Sequence, residues 1–257
     1  MRLEITGLSA HYGDRPVLNG VAIPCIDSGA FVGVIGPNAS GKSTLLKTLA
    51  GLVKPTAGAI RLGGEDITRL TRRERARRVA YMPQAFGCNA LLTVFESVLL
   101  ALKQTTGWRV RSENLDQVAA TLATLGLGDL SGRGVADLSG GQAQMVAVAQ
   151  TLVRAPDVIL LDEPTSALDL HHQLSVLSVV RREAALRRPV VMAALHDLNL
   201  AAKYCDRLVL IGEGQIVADG NPENVLALRD IGRIYCVETC LERTARGGMY
   251  VDAHLPA

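Results

Sequence analysis

A surplus of charge of either sign is what this 257-residue chain most lacks: 27 basic side chains stand against 25 acidic ones, a formal balance of +2. A protein whose main partner is nucleic acid usually carries a clustered basic excess, so no such partner is expected. Aromatic residues are scarce, at 4%, beside 48% hydrophobic and 20% charged residues. That is the composition of a soluble α/β protein, long enough to bury a sizeable core and still carry a subdomain. Cysteine is limited to Cys25, Cys88, Cys205, Cys236 and Cys240. An odd, scattered set suits a reducing compartment better than a disulfide framework. Cys236 and Cys240 have no second pair and no histidine at ligand spacing, so no metal site is expected there. No run approaches the roughly 20 apolar residues of a membrane span, so a membrane role would have to come through a partner.

Short strands alternate with helices along the chain. The opening MRLEITGLSAHYG sets Leu3 and Ile5 between polar residues, which reads as a strand and not a signal peptide. RLEITGL and VAIPCID are predicted strands separated by a turn-like HYGDRPVLNG. AFVGVIG is a continuously apolar strand of the kind buried on both faces, and KSTLLKTLAGL follows as a helix closed by Gly51. TRRERARR, from Thr71 to Arg78, reads as a solvated helix face leading into the strand RVAYMPQ. From about Phe86 to Pro156 the pattern turns mostly helical, an insertion in an α/β core. DVILLDEP resumes the core, HHQLSVLSVVRREAALRR is a helix, PVVMAALHD a strand, and RLVLIGEGQIVADG a hairpin turning at Glu213-Gly214. Two short helices and one final strand, GGMYVDAHL, complete the predicted elements.

Five stretches carry chemistry. GPNASGKST, from Gly36 to Thr44, fits GxxxxGK[ST] between a buried strand and a helix. Glycines there let backbone N–H groups crowd around phosphate oxygens, and the helix N-terminus adds a favourable partial charge. Lys42 would reach the β- and γ-phosphates, and Ser43 would offer a hydroxyl to Mg²⁺. Asp162 ends the strand DVILLD, where a carboxylate can hold Mg²⁺ directly or through water, and Glu163 is placed to orient or deprotonate an attacking water. His196, after the next apolar strand, reads either as a packed or capping residue or as a contact to the γ-phosphate. Gln84, after AYMP, is equally open: its amide oxygen could bind Mg²⁺ weakly and let go. The stretch LSGGQ, from Leu138 to Gln142, opens a helix with a second glycine-rich turn that one nucleotide site does not need.

Taken together, GPNASGKST, the glutamine of YMPQ, LSGGQ, VILLDEP, SALD (Ser166 to Asp169) and the histidine of LHDLN resemble the nucleotide-binding subunit of ATP-binding-cassette (ABC) transporters, in that family's order and over essentially the whole chain. The resemblance implies a P-loop NTPase (RecA-like) α/β core with an N-terminal antiparallel β subdomain and an inserted helical subdomain. The core would span 1–85 and 157–235, the helical subdomain 86–156, and a short C-terminal tail 236–257. It implies ATP and Mg²⁺ as ligands. Tyr12 would stack on adenine, and Gly36, Asn38, Gly41, Lys42, Ser43 and Thr44 would wrap the phosphates. Ser43, Gln84 and Asp162 would serve the metal, Glu163 would be the catalytic base and His196 a switch. Ser139, Gly140, Gly141 and Gln142 would approach the ATP of a second copy in a head-to-tail homodimer, with Asp169 in the loop communicating between protomers.

The stretch HDLNLAAKYCDRLVLIGEGQIVADGNPENVL and the tail look like the bacterial importers of ferric siderophores, haem and cobalamin. That likeness implies an ATPase on the cytoplasmic face of the inner membrane. Separate transmembrane permease subunits would dock near Gln84, Phe86 to Leu92 and the helical subdomain. An extracytoplasmic substrate-binding protein would be an indirect partner, and nucleic acid would not be one. The alternatives are an ATPase of another transporter class, or a soluble ABC ATPase acting in nucleic-acid repair or translation. The chain departs from the family where basic residues commonly follow the signature: Ala143 and Met145 stand there, and Gln150 further along. The departure bears on the electrostatics of the signature helix.

Overall fold

The computed structural model describes residues 1–84, 92–107, 109–166, 168–244 and 247–256. Two long strands begin the chain: β1 (Arg2–Tyr12) and β2 (Arg15–Asp27) form one antiparallel hairpin closed by Gly13-Asp14. The turn-like HYGDRPVLNG is therefore mostly strand. Its polar residues face solvent, while Ala10 pairs with Leu18 and both are fully buried. A face that alternates buried with exposed positions supports a strand even where glycine and asparagine suggest a turn.

Next come β3 (Phe31–Ile35), α1 (Lys42–Ala50), β4 (Ala57–Leu62) and β5 (Glu65–Asp66). β4 and β5 join the hairpin in an antiparallel sheet of order β2-β1-β4-β5. In α2 (Arg72–Arg78) the arginine run is not simply a solvated face. Arg75 is buried and donates to the carbonyls of Ile67 and Thr48, while Arg78 donates to Asp157 and Glu65. A guanidinium carries five donors, so it can be buried where helix and turn carbonyls lack partners.

β6 (Val79–Met82) is followed by three helices, α3 (Val94–Thr106), α4 (Ser112–Thr124) and α5 (Gly140–Leu152), which pack on one another. The chain then runs through β7 (Val158–Asp162), α6 (Leu170–Arg187), β8 (Val190–Ala194), α7 (Leu198–Tyr204), β9 (Arg207–Gly212) and β10 (Gln215–Gly220). These strands build a six-stranded sheet of order β10-β9-β3-β8-β7-β6, parallel except for β10. The apolar runs of β3, β7, β8 and β9 are explained by two cores. Phe31, Ile35, Ile159 and Leu161 face the helical side, and Val32, Val34, Val158 and Leu160 face α1 and the antiparallel sheet. Side chains alternate across a strand, so burial on both faces calls for an unbroken apolar sequence.

The last elements are α8 (Pro222–Leu226), α9 (Arg229–Tyr235), β11 (Glu238–Arg243) and β12 (Met249–His254). β12 pairs antiparallel with β11, a strand beyond those predicted from the sequence. The segment ETCLER is half polar because only one side of this two-stranded ribbon is covered. Among the described residues, no helix is long and apolar enough to cross a membrane. The architecture is an α/β core with an N-terminal antiparallel β subdomain and an inserted helical subdomain.

Candidate functional site

Four of the parallel strands deliver the polar residues. β3 ends at Ile35 and releases the loop from Gly36 to Gly41, which leads into the N-terminus of α1 at Lys42. Gly36 and Gly41 have φ of 149° and 112°, a region that favours glycine. At Gly36 space also decides, because a Cβ would run into the carbonyl oxygen of Ile211 and lie 2.9 Å from Ser40 Oγ. Lys42 is buried, and its ammonium donates to the carbonyls of Gly36 and Pro37 at 2.7 and 2.8 Å. Burial lowers its pKa, and the nearby charges of Glu163 and Asp162 work against that shift.

Asp162 stands at the end of β7, 1% exposed, with both oxygens engaged. Ser43 Oγ donates to Oδ1 and Tyr81 Oη donates to Oδ2, each at 2.8 Å. Burial raises the Tyr81 pKa, and the bond to Asp162 adds to the rise, so the hydroxyl stays a donor. Glu163 follows with φ 54°, a left-handed conformation unusual for a residue with a side chain. Its carboxylate is bracketed: Gln84 Nε2 donates to Oε2 at 2.6 Å, and His196 Nε2 lies 2.6 Å from Oε1. The loop, the two carboxylates, Gln84 and His196 thus form one cluster at the carboxyl ends of β3, β6, β7 and β8, where open parallel sheets place ligand sites.

A cavity of about 250 Å³ opens there, lined by Asn38, Lys42, Ser43, Thr44, Glu163 and also Arg15. The donor set fits a magnesium-bound polyphosphate. It offers backbone N–H groups, a desolvated ammonium and the buried, unpartnered hydroxyl of Ser40 to phosphate. It offers hard oxygen atoms from Ser43, Asp162 and Gln84 to Mg²⁺, which keeps most of its waters and asks for one or two carboxylates. Among the described residues no group of three or more His, Cys, Asp or Glu side chains forms another metal site.

Sequence reasoning had not picked out Arg15 or Tyr81. Arg15 begins β2 directly across the turn from Tyr12, which is 49% exposed. The hairpin carries Arg15 to the cavity, and the only hint in sequence was a basic residue ahead of an apolar strand. Tyr81 lies in the same YMPQ stretch as Gln84, one strand from Asp162. Tyr235 Oη, from α9, accepts the Gly36 N–H at 2.7 Å, a link across 199 positions with no local signal.

The LSGGQ stretch does not join this cluster. It forms the N-terminus of α5 and closes on itself: the Gln142 N–H donates to Ser139 Oγ, and the Ser139 N–H donates to Gln142 Oε1. This is a capping box, which satisfies two orphan donors of the helix. Ser139 and Gly140 are exposed, and Gly141 and Gln142 half-buried. Asp169 caps α6, accepting from the backbone and ring of His172. Gln144 Nε2 donates to the Pro164 carbonyl at 2.9 Å, tying α5 to the loop after Glu163. Met145 is a core residue, 8% exposed. Of Phe86 to Leu92, where permease docking is expected, residues 86–91 lie outside the described residues, as does Ala167 in the SALD stretch.

Comparison with known proteins adds the context. Residues 22–166 match the family described as ABC transporter. The cobalamin import ATP-binding protein BtuD of Halobacterium salinarum is 39% identical over 226 residues, which cover 88% of this chain and 56% of that protein. The chain thus spans little more than half of that relative's length. The hemin import ATP-binding protein HmuV of Pseudomonas entomophila is 38% identical over 245 residues, 93% of this chain and 94% of that one. A solved dimeric ATP-binding cassette in a post-hydrolysis state with ADP and Pi superposes with a TM-score of 0.77, at 26% identity, over 86% of this chain and 98% of that one.

Proposed function

Since the chain belongs to the ABC transporter family, we propose that it is the ATP-hydrolysing subunit of a bacterial importer of an iron chelate, haem or cobalamin. The observation that carries the reading is the Glu163 carboxylate, held between Gln84 and His196 beside the phosphate loop. Glu163 accepts the proton of a water whose oxygen attacks the γ-phosphorus, while the bond from that phosphorus to ADP breaks. His196 keeps the carboxylate aimed. Ser43 and Gln84 would hold the metal, with Asp162 supporting it, and Lys42 would turn from its loop carbonyls to the β- and γ-phosphates. Mg²⁺, when bound, neutralises charge on the phosphate oxygens. Tyr12 offers its ring face to adenine.

In the same reading, Ser139 to Gln142 and Asp169 serve the ATP site of a second copy in a head-to-tail dimer. The nucleotide-binding core spans 1–85 and 157–235, with a helical subdomain over 86–156 and a tail over 236–257. The chain works at the cytoplasmic face of the plasma membrane, bound to transmembrane permease subunits and served by an extracytoplasmic binding protein. The names of the two import proteins and the dimeric cassette support these partners.

The test is Glu163→Gln. It should bind ATP with unchanged affinity and hydrolyse it about a hundredfold or more slowly. Near-normal turnover would remove Glu163 as the base. The transport assignment is checked by solubilising membranes: the chain should co-purify with a multi-spanning protein, and recovery with nucleic acid instead would sink it.

A further inference from the structure

The stretches that stand apart from the nucleotide cavity meet at one residue, His172. Its backbone N–H and its ring Nδ1 both address Asp169 Oδ1, at 2.9 and 2.7 Å. Another part of the same ring faces the second glycine of LSGGQ. A Cβ on Gly141 would lie 2.5 Å from His172 Cγ, 2.7 Å from Nε2 and against Cδ2 as well. Gly141 is not among the residues with positive φ, so its backbone tolerates any residue and the ring alone demands glycine. Swinging the ring aside would break its Nδ1 bond to the carboxylate that also caps α6. The neighbouring His171 ring stands edge-on to it, with centroids 5.4 Å apart.

We propose that His172 is a positioning residue that locks the N-terminus of α5 to the Asp169 loop within one chain. The proposal rests on the reading above, in which both stretches address the partner's nucleotide. In that arrangement their spacing has to match the spacing of groups on the partner, and two loops that wandered independently would rarely match it together. The imidazole removes that freedom. One edge is hydrogen-bonded to Asp169, and the ring is packed against a backbone with no side chain to yield. The signature helix therefore cannot shift toward the Asp169 loop without a collision, nor away from it without leaving a gap beside Gly141.

The test is a mutant cycle. Gly141→Ala alone should lower the melting temperature and prevent ATP-driven dimerisation. His172→Ala removes all three ring atoms that the new Cβ would meet, so the double variant should recover most of the melting temperature lost in Gly141→Ala. His172→Ala alone should bind a fluorescent ATP analogue as a monomer like the unaltered chain, while kcat falls about tenfold. A role limited to packing would not separate those two readouts. His172→Asn, which keeps an N–H near the Nδ1 position, should retain kcat within about threefold. Additive melting shifts, with the double variant less stable than either single one, would overturn the lock, as would an unchanged kcat in His172→Ala. The thermal cycle does not depend on hydrolysis, so a wild-type chain without ATPase activity would count against the proposed function and not against the lock.

Discussion

Both oxygens of Asp162 are occupied by hydroxyls, from Ser43 and Tyr81. In the proposed function Ser43 leaves Asp162 for the metal, whereas Tyr81 has no such role and keeps the carboxylate in place. Hydrogen bonds to a charged group are worth roughly 1.5–3 kcal/mol. Tyr81→Phe should therefore lower stability by about that amount in chemical denaturation, and should raise the Mg²⁺ concentration needed for half-maximal ATP hydrolysis. Equal Mg²⁺ dependence in the two proteins would remove Tyr81 from the site. Sequence made Asp162, Glu163 and Lys42 visible because their spacing within a strand-loop-helix pattern has few other uses. It could not show Tyr81 or Arg15, whose roles come from strand pairing and from a hairpin folding back. Tyr235 was equally hidden, since its partner Gly36 is set by tertiary packing alone.

At the level of elements, the strands buried on two faces were the easiest to read. β3, β7 and β8 are mostly apolar runs whose alternate side chains enter different cores. Strands with one covered face were harder: β2 begins inside a stretch rich in turn-forming residues, and β11 carries charges on its open side. The arginines of α2 misled for a similar reason, since charge in sequence does not reveal that Ile67 and Thr48 present carbonyls to Arg75. α5 shows how elements are joined. Gln144 is buried, and its amide reaches the carbonyl of Pro164, two positions before Ser166. Gln144→Leu would keep the volume and leave that carbonyl without this donor, a loss of about 1–3 kcal/mol. Urea denaturation should register the loss, and hydrogen exchange should quicken at 163–166 while β3 stays protected. The departure from a basic pattern at Met145 has a packing counterpart, because its thioether lies in the core with Val146 and Val148.

Over the whole molecule, the central strand of the six-stranded sheet comes early in the chain and its neighbours come late. β3 ends at Ile35, and it pairs with β8 and β9, which begin at Val190 and Arg207. The C-terminal elements reach the site through Tyr235 on Gly36, and they are tied to the core by Asn199 of α7, whose side chain bonds both the N–H and the carbonyl of Val251. A chain cut after residue 156 would retain the entire glycine loop yet leave β3 without either partner. Such a fragment is expected to bind no ATP analogue by fluorescence, even though every residue that wraps the phosphates is present. Detectable binding would mean that the loop and α1 hold their shape unaided.

The bond between Tyr235 and Gly36 has a consequence for the order of events during synthesis. On the ribosome, the loop meant for phosphate emerges long before the hydroxyl that fixes its first N–H, and its flanking strand waits for more than 150 residues to find a neighbour. Contacts this distant in sequence form slowly, and unpaired strands are exposed in the meantime. A nascent chain therefore passes most of its translation unable to capture nucleotide, and becomes able to do so only when β8, β9 and α9 have been made.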